Sequence, residues 1–350
     1  MTPLEDLLIR RIAATGPMTL HDYMAECLLN PEHGYYTTRQ PFGATGDFTT
    51  APEISQMFGE LLGLCLAQAW LDQGSPSPFT LAELGPGRGT LMADILRATR
   101  GVPGLHQAAE VWLVEASPAL RQTQRQALGQ HPAQWADQAD NLPDQPLFLI
   151  ANEFFDALPI RQFHRAPDGW EETMMGLKDG QLTLGRNPAL PVAALDHRLA
   201  DTQSGQIVEI CPAAPAILSA ITRRLAKGLA LIIDYGDWRS LGDTVQALAR
   251  HQRVPVTQSP GQADITAHVD FQALVPPGLA YRYTTQGALL SALGIAQRSE
   301  KLAAKLHGPA LENHRAATRR LTGATEMGTL FKALALFPAD APPPAGFPDA

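Results

Sequence analysis

The run Phe79-Thr80-Leu81-Ala82-Glu83-Leu84 passes directly into Gly85-Pro86-Gly87-Arg88-Gly89 and then, from Thr90-Leu91, into residues at helical spacing. A strand, a glycine turn and a helix in immediate succession leave little architectural freedom. The strand belongs inside an α/β sheet, the turn sits at its carboxyl edge, and the helix amino end aims unpaired N–H groups across it. Glycines let the backbone approach a ligand where a Cβ would intrude, so a nucleotide-like cofactor is implied. The spacing separates two cofactor classes. A dinucleotide fingerprint wants glycine at position 90, which here is Thr90, and this disfavours a nicotinamide oxidoreductase. An acid two places before Gly-x-Gly-x-Gly suits S-adenosyl-L-methionine instead.

The surrounding chain extends the same pattern. Short apolar runs at Glu110–Val114 and Pro146–Ala151 alternate with helical spacing at Thr90–Thr99 and Pro118–Leu128, which predicts a parallel, doubly wound sheet. The apolar run Leu229–Ile233 predicts a further central strand, preceded by a helix over Ala213–Lys227. The expected fold is therefore α/β, a Rossmann-like class I methyltransferase core over about residues 74–337. Residues 1–73 read as a helical N-terminal extension with a lid loop at Asn30–Glu53 and a helix over Ile54–Leu71. Gly-turned strands from Ile160 predict a β-rich insertion at about 160–205. The proline-rich segment 338–350 reads as a tail without regular structure.

Composition excludes several function classes. With 350 residues, 45% of them hydrophobic, the chain can bury a large core, which excludes disorder. A formal net charge of -8 argues against nucleic acid as partner. The 3 cysteines, Cys27, Cys65 and Cys211, show neither a disulfide framework nor metal-ligand spacing, so no metal is expected and a reducing cytoplasm is. Alanine and arginine dominate over lysine, as in GC-rich bacterial genomes. The longest apolar stretch, Leu61–Leu71, is too short to span a bilayer.

Candidate site residues follow from the sheet logic. Glu83, Gly85, Pro86, Gly87, Gly89 and Thr90 are expected to hold the cofactor, with Glu83 near its ammonium group or, alternatively, capping the next helix. Glu115 ends the second strand, where α/β folds place an acid on the ribose hydroxyls; the alternative is an exposed strand-end acid that caps the Ser117-Pro118 helix. Asn152, Glu153 and Asp156 cluster at the end of a buried strand. They are expected to act on the substrate, Asn152 also on the donor, and the two acids on a guanidinium and the proton lost on methylation. Turn and cap roles are the alternatives for Asn152 and Asp156. Glu53 lies at a loop-to-helix junction, Asp47-Phe48-Thr49-Thr50-Ala51-Pro52-Glu53-Ile54-Ser55-Gln56, which is expected to close over the cofactor; the alternative is that Pro52 and Glu53 simply form a helix amino end. In Asp264-Ile265-Thr266-Ala267-His268-Val269-Asp270-Phe271, the acids and the histidine either line a substrate cleft or cap a helix.

Six segments taken in order resemble the MidA family of mitochondrial complex I assembly methyltransferases and its bacterial relatives. They are 46–60, Glu83–Thr90, Leu113–Pro118, Ala151–Pro159, Ile233–Gly236 and Ala263–Phe271, and the likeness runs on to Met327–Lys332. The resemblance implies a methyltransferase fold with family-specific additions. It also implies arginine methylation of a protein, a complex I subunit in the mitochondrial members. The chain departs from the pattern between Leu184 and Gln206 and at Val275-Pro276-Pro277-Gly278, which bears on substrate docking more than on the cofactor. The competing expectation is an assembly or binding factor that keeps the fold without turnover.

Overall fold

The computed structural model describes residues 2–38, 50–249 and 252–348. The chain opens with α1 (Pro3–Thr15), β1 (Met18–Thr19), α2 (Leu20–Leu29) and α3 (Tyr35–Thr38). A capping box starts α1: Glu5 N–H donates to Thr2 Oγ1 and Thr2 N–H donates to Glu5 Oε2, each at 3.1 Å. The predicted lid loop carries the short helices α3 and α4 (Ala51–Ile54) at its two ends, and its residues 39–49, with Asp47, Phe48 and Thr49, lie outside the described residues. The helix expected from Ile54 is α5 (Gln56–Asp72), restarted by an extended Ser55 whose Oγ accepts the Met57 N–H.

The core follows with strands and helices in turn: β2 (Phe79–Leu84), α6 (Thr90–Ala98), α7 (Leu105–Ala108), β3 (Ala109–Val114), α8 (Pro118–Leu128), then β4 (Gln134–Ala136) and β5 (Leu147–Asn152). Then come β6 (Arg161–Ala166), β7 (Gly169–Lys178), β8 (Gln181–Arg186) and β9 (Ile207–Ile210), with α9 (Ala214–Thr222) and β10 (Gly228–Asp237) behind them. The last third contains β11 (Gln246–Ala249), β12 (Gln252–Val254), β13 (Asp264–Thr266), β14 (Val269–Asp270) and β15 (Leu279–Thr285). It continues through α10 (Gln286–Ala292), α11 (Ile295–Ala303), α12 (Gly308–Thr322) and α13 (Met327–Leu330) to β16 (Phe331–Pro338).

The main sheet runs β15-β16-β10-β5-β2-β3-β4. The five strands β4, β3, β2, β5 and β10 are mutually parallel, and β16 enters antiparallel between β10 and β15. Strand alternation explains the two faces. Phe79, Leu81, Phe148, Ile150, Leu229 and Leu231 pack with α5 and α6, whereas Ala82, Leu84, Leu149, Ala230 and Ile232 pack with α9. Both faces are buried, which is why these strands read as unbroken apolar runs.

Two smaller sheets sit beside this core. The predicted β insertion forms a sheet in the order β1-β7-β6-β9, with β8 on β7, so Met18–Thr19 of the N-terminal segment completes it. Strands β12-β11-β13 form a second sheet that the sequence patterns did not suggest. Both share a core with α1 and α2 through Leu8, Tyr23, Met24, Met175 and Ile265. Beyond β16 the described residues form neither helix nor strand, yet Phe347 is buried in the main core and Ala345 O accepts from Cys65 Sγ.

Candidate active site

A cleft of about 1650 Å³ opens over the carboxyl ends of β2, β3, β5 and β10. Its floor is the glycine turn, where Gly85, Gly87 and Gly89 all take left-handed φ values of 60°, 49° and 83°. A Cβ on Gly85 would stand 2.9 Å from the Phe154 ring, so the position needs glycine for space as well as for conformation. Of the expected residues, Gly85, Gly87, Glu115, Glu153 and Asp156 line the cleft. Glu53, Glu83, Pro86, Gly89, Thr90 and Asn152 belong to the supporting layer. Thr90 Oγ1 donates to Glu53 Oε1 at 2.5 Å, and the Arg88 guanidinium meets Glu53 Oε2 at 3.4 Å, so α4 is tied to the turn. Glu83 accepts the Met92 N–H inside the first turn of α6, and burial pushes its carboxyl up to about 8. Its Oε2 is buried without a partner.

Glu115 is held by its neighbours in a fixed orientation. Its Oε1 accepts the Ser117 N–H at 2.8 Å, and its Oε2 accepts Gln124 Nε2 at 3.2 Å. Burial raises its pKa, and these donors oppose the rise. Gln124 is fully buried on α8 and also donates to Gly87 O at 2.8 Å, while Trp135 Nε1 donates to its Oε1 at 2.8 Å. One amide side chain thus couples the glycine turn to the acid at the end of β3. Periodicity places Gln124 on a helix, and nothing in the sequence marks it as a bridge.

The turn after β5 concentrates charge. Glu153 has φ 50°, a strained conformation for a side chain with a Cβ and one that clusters at functional sites. Its Oε1 accepts from Asn152 Nδ2 at 3.1 Å and from Ala51 N–H at 3.3 Å. Burial first, and then the charge of Asp156, push Glu153 up to about 7. Asp156 is pushed up to about 6 by burial, against the pull of the nearby Tyr235 hydroxyl. Asn152 Oδ1 and Asp156 Oδ1 are both buried without a hydrogen-bond partner.

Asp234, whose place in the strand pattern suggests no role, organises this turn. Its Oδ2 accepts the N–H groups of Phe154, Phe155 and Asp156 at 3.2, 3.0 and 3.2 Å, and its Oδ1 accepts the Tyr235 N–H at 3.0 Å. Complete burial, followed by the charges of Asp156 and Glu153, holds its carboxyl well above the usual range.

The opposite wall comes from distant segments: Tyr36 of α3, Asp264 and Thr266 of β13, His268, and Arg320 of α12. Asp264 and His268 therefore face the cleft, whereas Asp270 caps a short 3-10 turn by accepting the Ala273 N–H at 3.2 Å. Among the described residues no group of histidine, cysteine and acid side chains could hold a metal ion, and no helix is long and apolar enough to cross a membrane.

Five parallel strands extended by an inserted antiparallel β16, with a glycine turn after the first strand and an acid after the second, form a class I methyltransferase fold. Residues 61–288 match the model of a family described as S-adenosyl-L-methionine-dependent methyltransferases, and the chain belongs to that family. Its relatives include the mitochondrial protein arginine methyltransferase NDUFAF7 of Danio rerio, 36% identical over 84% of this chain and 77% of its own. The human protein of that name is 35% identical over 78% and 68%, and the Drosophila melanogaster homolog 35% identical over 94% and 83%. A Burkholderia thailandensis structure bound to S-adenosylhomocysteine superposes with TM-score 0.82 at 30% identity, covering 99% of this chain and 93% of the other. The resemblance of the six segments to the complex I assembly methyltransferases is thereby borne out, and the chain is an S-adenosylmethionine-dependent methyltransferase.

Proposed function

We propose that this enzyme methylates arginine nitrogen in a protein substrate. The observation that carries the reading is the pair of acids after β5, half-buried Glu153 and buried Asp156, which line the cleft beside the glycine turn. The names of the NDUFAF7 relatives support it. In this reading a respiratory complex I subunit, as the family resemblance implies, is the target, and the bacterial cytoplasm is the place of action. The free Cys27, Cys65 and Cys211 suit that compartment.

The residues present fit the cofactor. Gly85 and Gly87 give close backbone approach, Glu115 is oriented to accept from ribose hydroxyls, and Asn152 Oδ1 is a buried acceptor in need of a donor. S-adenosylmethionine, when bound, supplies a methyl group activated on a sulfonium. The protein's own work is positioning: the cleft holds the substrate nitrogen in line, and the turn fixed by Asp234 keeps the acids against it. Glu153, titrating at about 7, takes the proton that the nitrogen loses. Glu53 and Thr90 secure the turn from behind, and Glu83 anchors it to α6.

Transfer of labelled methyl groups from S-adenosylmethionine to complex I subunits, with mass spectrometry of the products, tests this reading. Glu153→Gln is expected to lower turnover by roughly a hundredfold or more while S-adenosylhomocysteine affinity persists. Label on lysine or on a small molecule would remove the arginine assignment. Cofactor binding without any transfer would favour the assembly factor.

A further inference from the structure

The far wall of the cleft is assembled from three places in the chain, and the parts are locked together. Ala267 N–H, just past β13, donates to Asp156 O at 3.0 Å, fixing β13 against the turn after β5. Tyr36 of α3 donates its hydroxyl to Asp264 Oδ1 at 2.8 Å. Asp156 and Asp264 are each 6% exposed, and both line the cleft. Asp156 Oδ1 is buried there without a partner. A buried acceptor left unmet is costly, and in a cleft it points to a donor supplied by a ligand.

We propose that Asp156 and Asp264, with the Tyr36 phenol between them, form the subsite that receives the guanidinium of the substrate arginine, and that Asp264 is a specificity-determining residue supplied from outside the methyltransferase core. The proposal rests on the arginine reading above and adds who selects the side chain. Tyr36 is bonded to Asp264, and after burial the charges of Asp264 and then Asp156 raise its pKa, so both acids act on the same phenol. A guanidinium is a planar fork with N–H groups on several edges, able to meet acids on two walls at once, whereas an ammonium is a compact point charge on a flexible stem. The Tyr36 and Tyr235 rings at the same wall add faces on which a delocalised cation stacks. Arg320 acts on Glu153, and burial with the charges of Lys332 and Arg253 lowers the pKa of His268. The N-terminal helices and the β11–β13 sheet therefore do more than decorate the core, because they carry half of the recognition.

Fluorescence anisotropy with S-adenosylhomocysteine-saturated protein tests the subsite, using labelled nonapeptide libraries with arginine, citrulline or lysine fixed at the centre. Citrulline keeps the shape of arginine and removes its charge. Wild type is expected to prefer arginine over citrulline and over lysine by about tenfold or more. Asp264→Asn, which can still accept from Tyr36, is expected to lose most of that preference with S-adenosylhomocysteine affinity unchanged. Tyr36→Phe should lose about threefold and serves as the milder variant if Asp264→Asn folds poorly. A wild-type preference that survives in both variants overturns the subsite and leaves the arginine reading standing. Equal binding of arginine and citrulline by wild type removes the arginine reading, and the subsite with it.

Discussion

The two walls of the cleft differ in how the chain builds them. The wall proposed to hold the cofactor comes from one continuous segment, 79–156, in which each strand runs straight into the turn or acid it presents. The wall proposed to receive the substrate takes Tyr36, Tyr235, Asp264 and Arg320 from four remote segments and joins them only on folding. A site of the first kind is encoded by local pattern, because strand, turn and helix propensities act within about ten residues. A site of the second kind depends on packing between layers, and no short-range rule records it. Asp234 connects the two, since it belongs to β10 yet holds the turn after β5.

That connection offers the largest effect. Asp234→Ala would strand four N–H groups in a buried site, and urea unfolding is expected to show a loss of about 4 kcal/mol, with cofactor binding and methyl transfer both impaired. If only one wall suffers, the walls are more independent than the hydrogen bonds indicate. Glu115→Ala acts on the cofactor wall alone. Calorimetry should show S-adenosylhomocysteine affinity reduced roughly a hundredfold, about 3 kcal/mol, with the arginine-over-citrulline preference unchanged.

The acids after β5 give a pH signature. Glu153 moves from 4.5 to about 7 on folding, so the native state holds a proton that the unfolded chain has released. The resulting stability is fully present below pH 4.5 and is lost as pH rises through about 7. Unfolding of Glu153→Gln should lack much of that decline, while wild-type turnover should rise with pH over the same window as the base loses its proton. A flat wild-type stability profile between those limits would contradict the burial of Glu153. The smallest expected effect is Thr90→Val, which removes the hydroxyl bonded to Glu53. About 1 kcal/mol of S-adenosylhomocysteine affinity, near fivefold, should go, and no more, since the turn keeps its glycines and its Gln124 anchor.

Much of the core was legible beforehand for a physical reason: strands buried on both faces must be apolar throughout, and a turn with three left-handed residues must be glycine-rich. Hence β2, β3, β5, β10 and the helices between them fall within a few residues of their predicted spans. The exceptions in that region are α7 and β4, whose 4 and 3 residues are too few to show a pattern. Strands β11 to β13 escaped because they too are short, and because their apolar partners lie in α1 and α2. Among the candidate site residues, Glu115 and Glu153 directly follow strands β3 and β5, and Asp156 lies in the turn just beyond, positions that the strand patterns mark. Gln124 and Asp234 did not, because a buried amide and a strand acid look ordinary until their partners are known.

The sequence by itself determined the class of fold, the position of the glycine turn and the identity of the acids beside it, since each rests on periodicity or on backbone conformation within one short segment. Only the tertiary structure decided that Glu53 and Glu83 brace the turn from behind, that Asp234 holds the acid-bearing loop, and that Tyr36 meets Asp264. Those outcomes depend on which surfaces of α3, α4 and β13 come to rest against the sheet, and that is settled by the shared burial of side chains far apart in the chain.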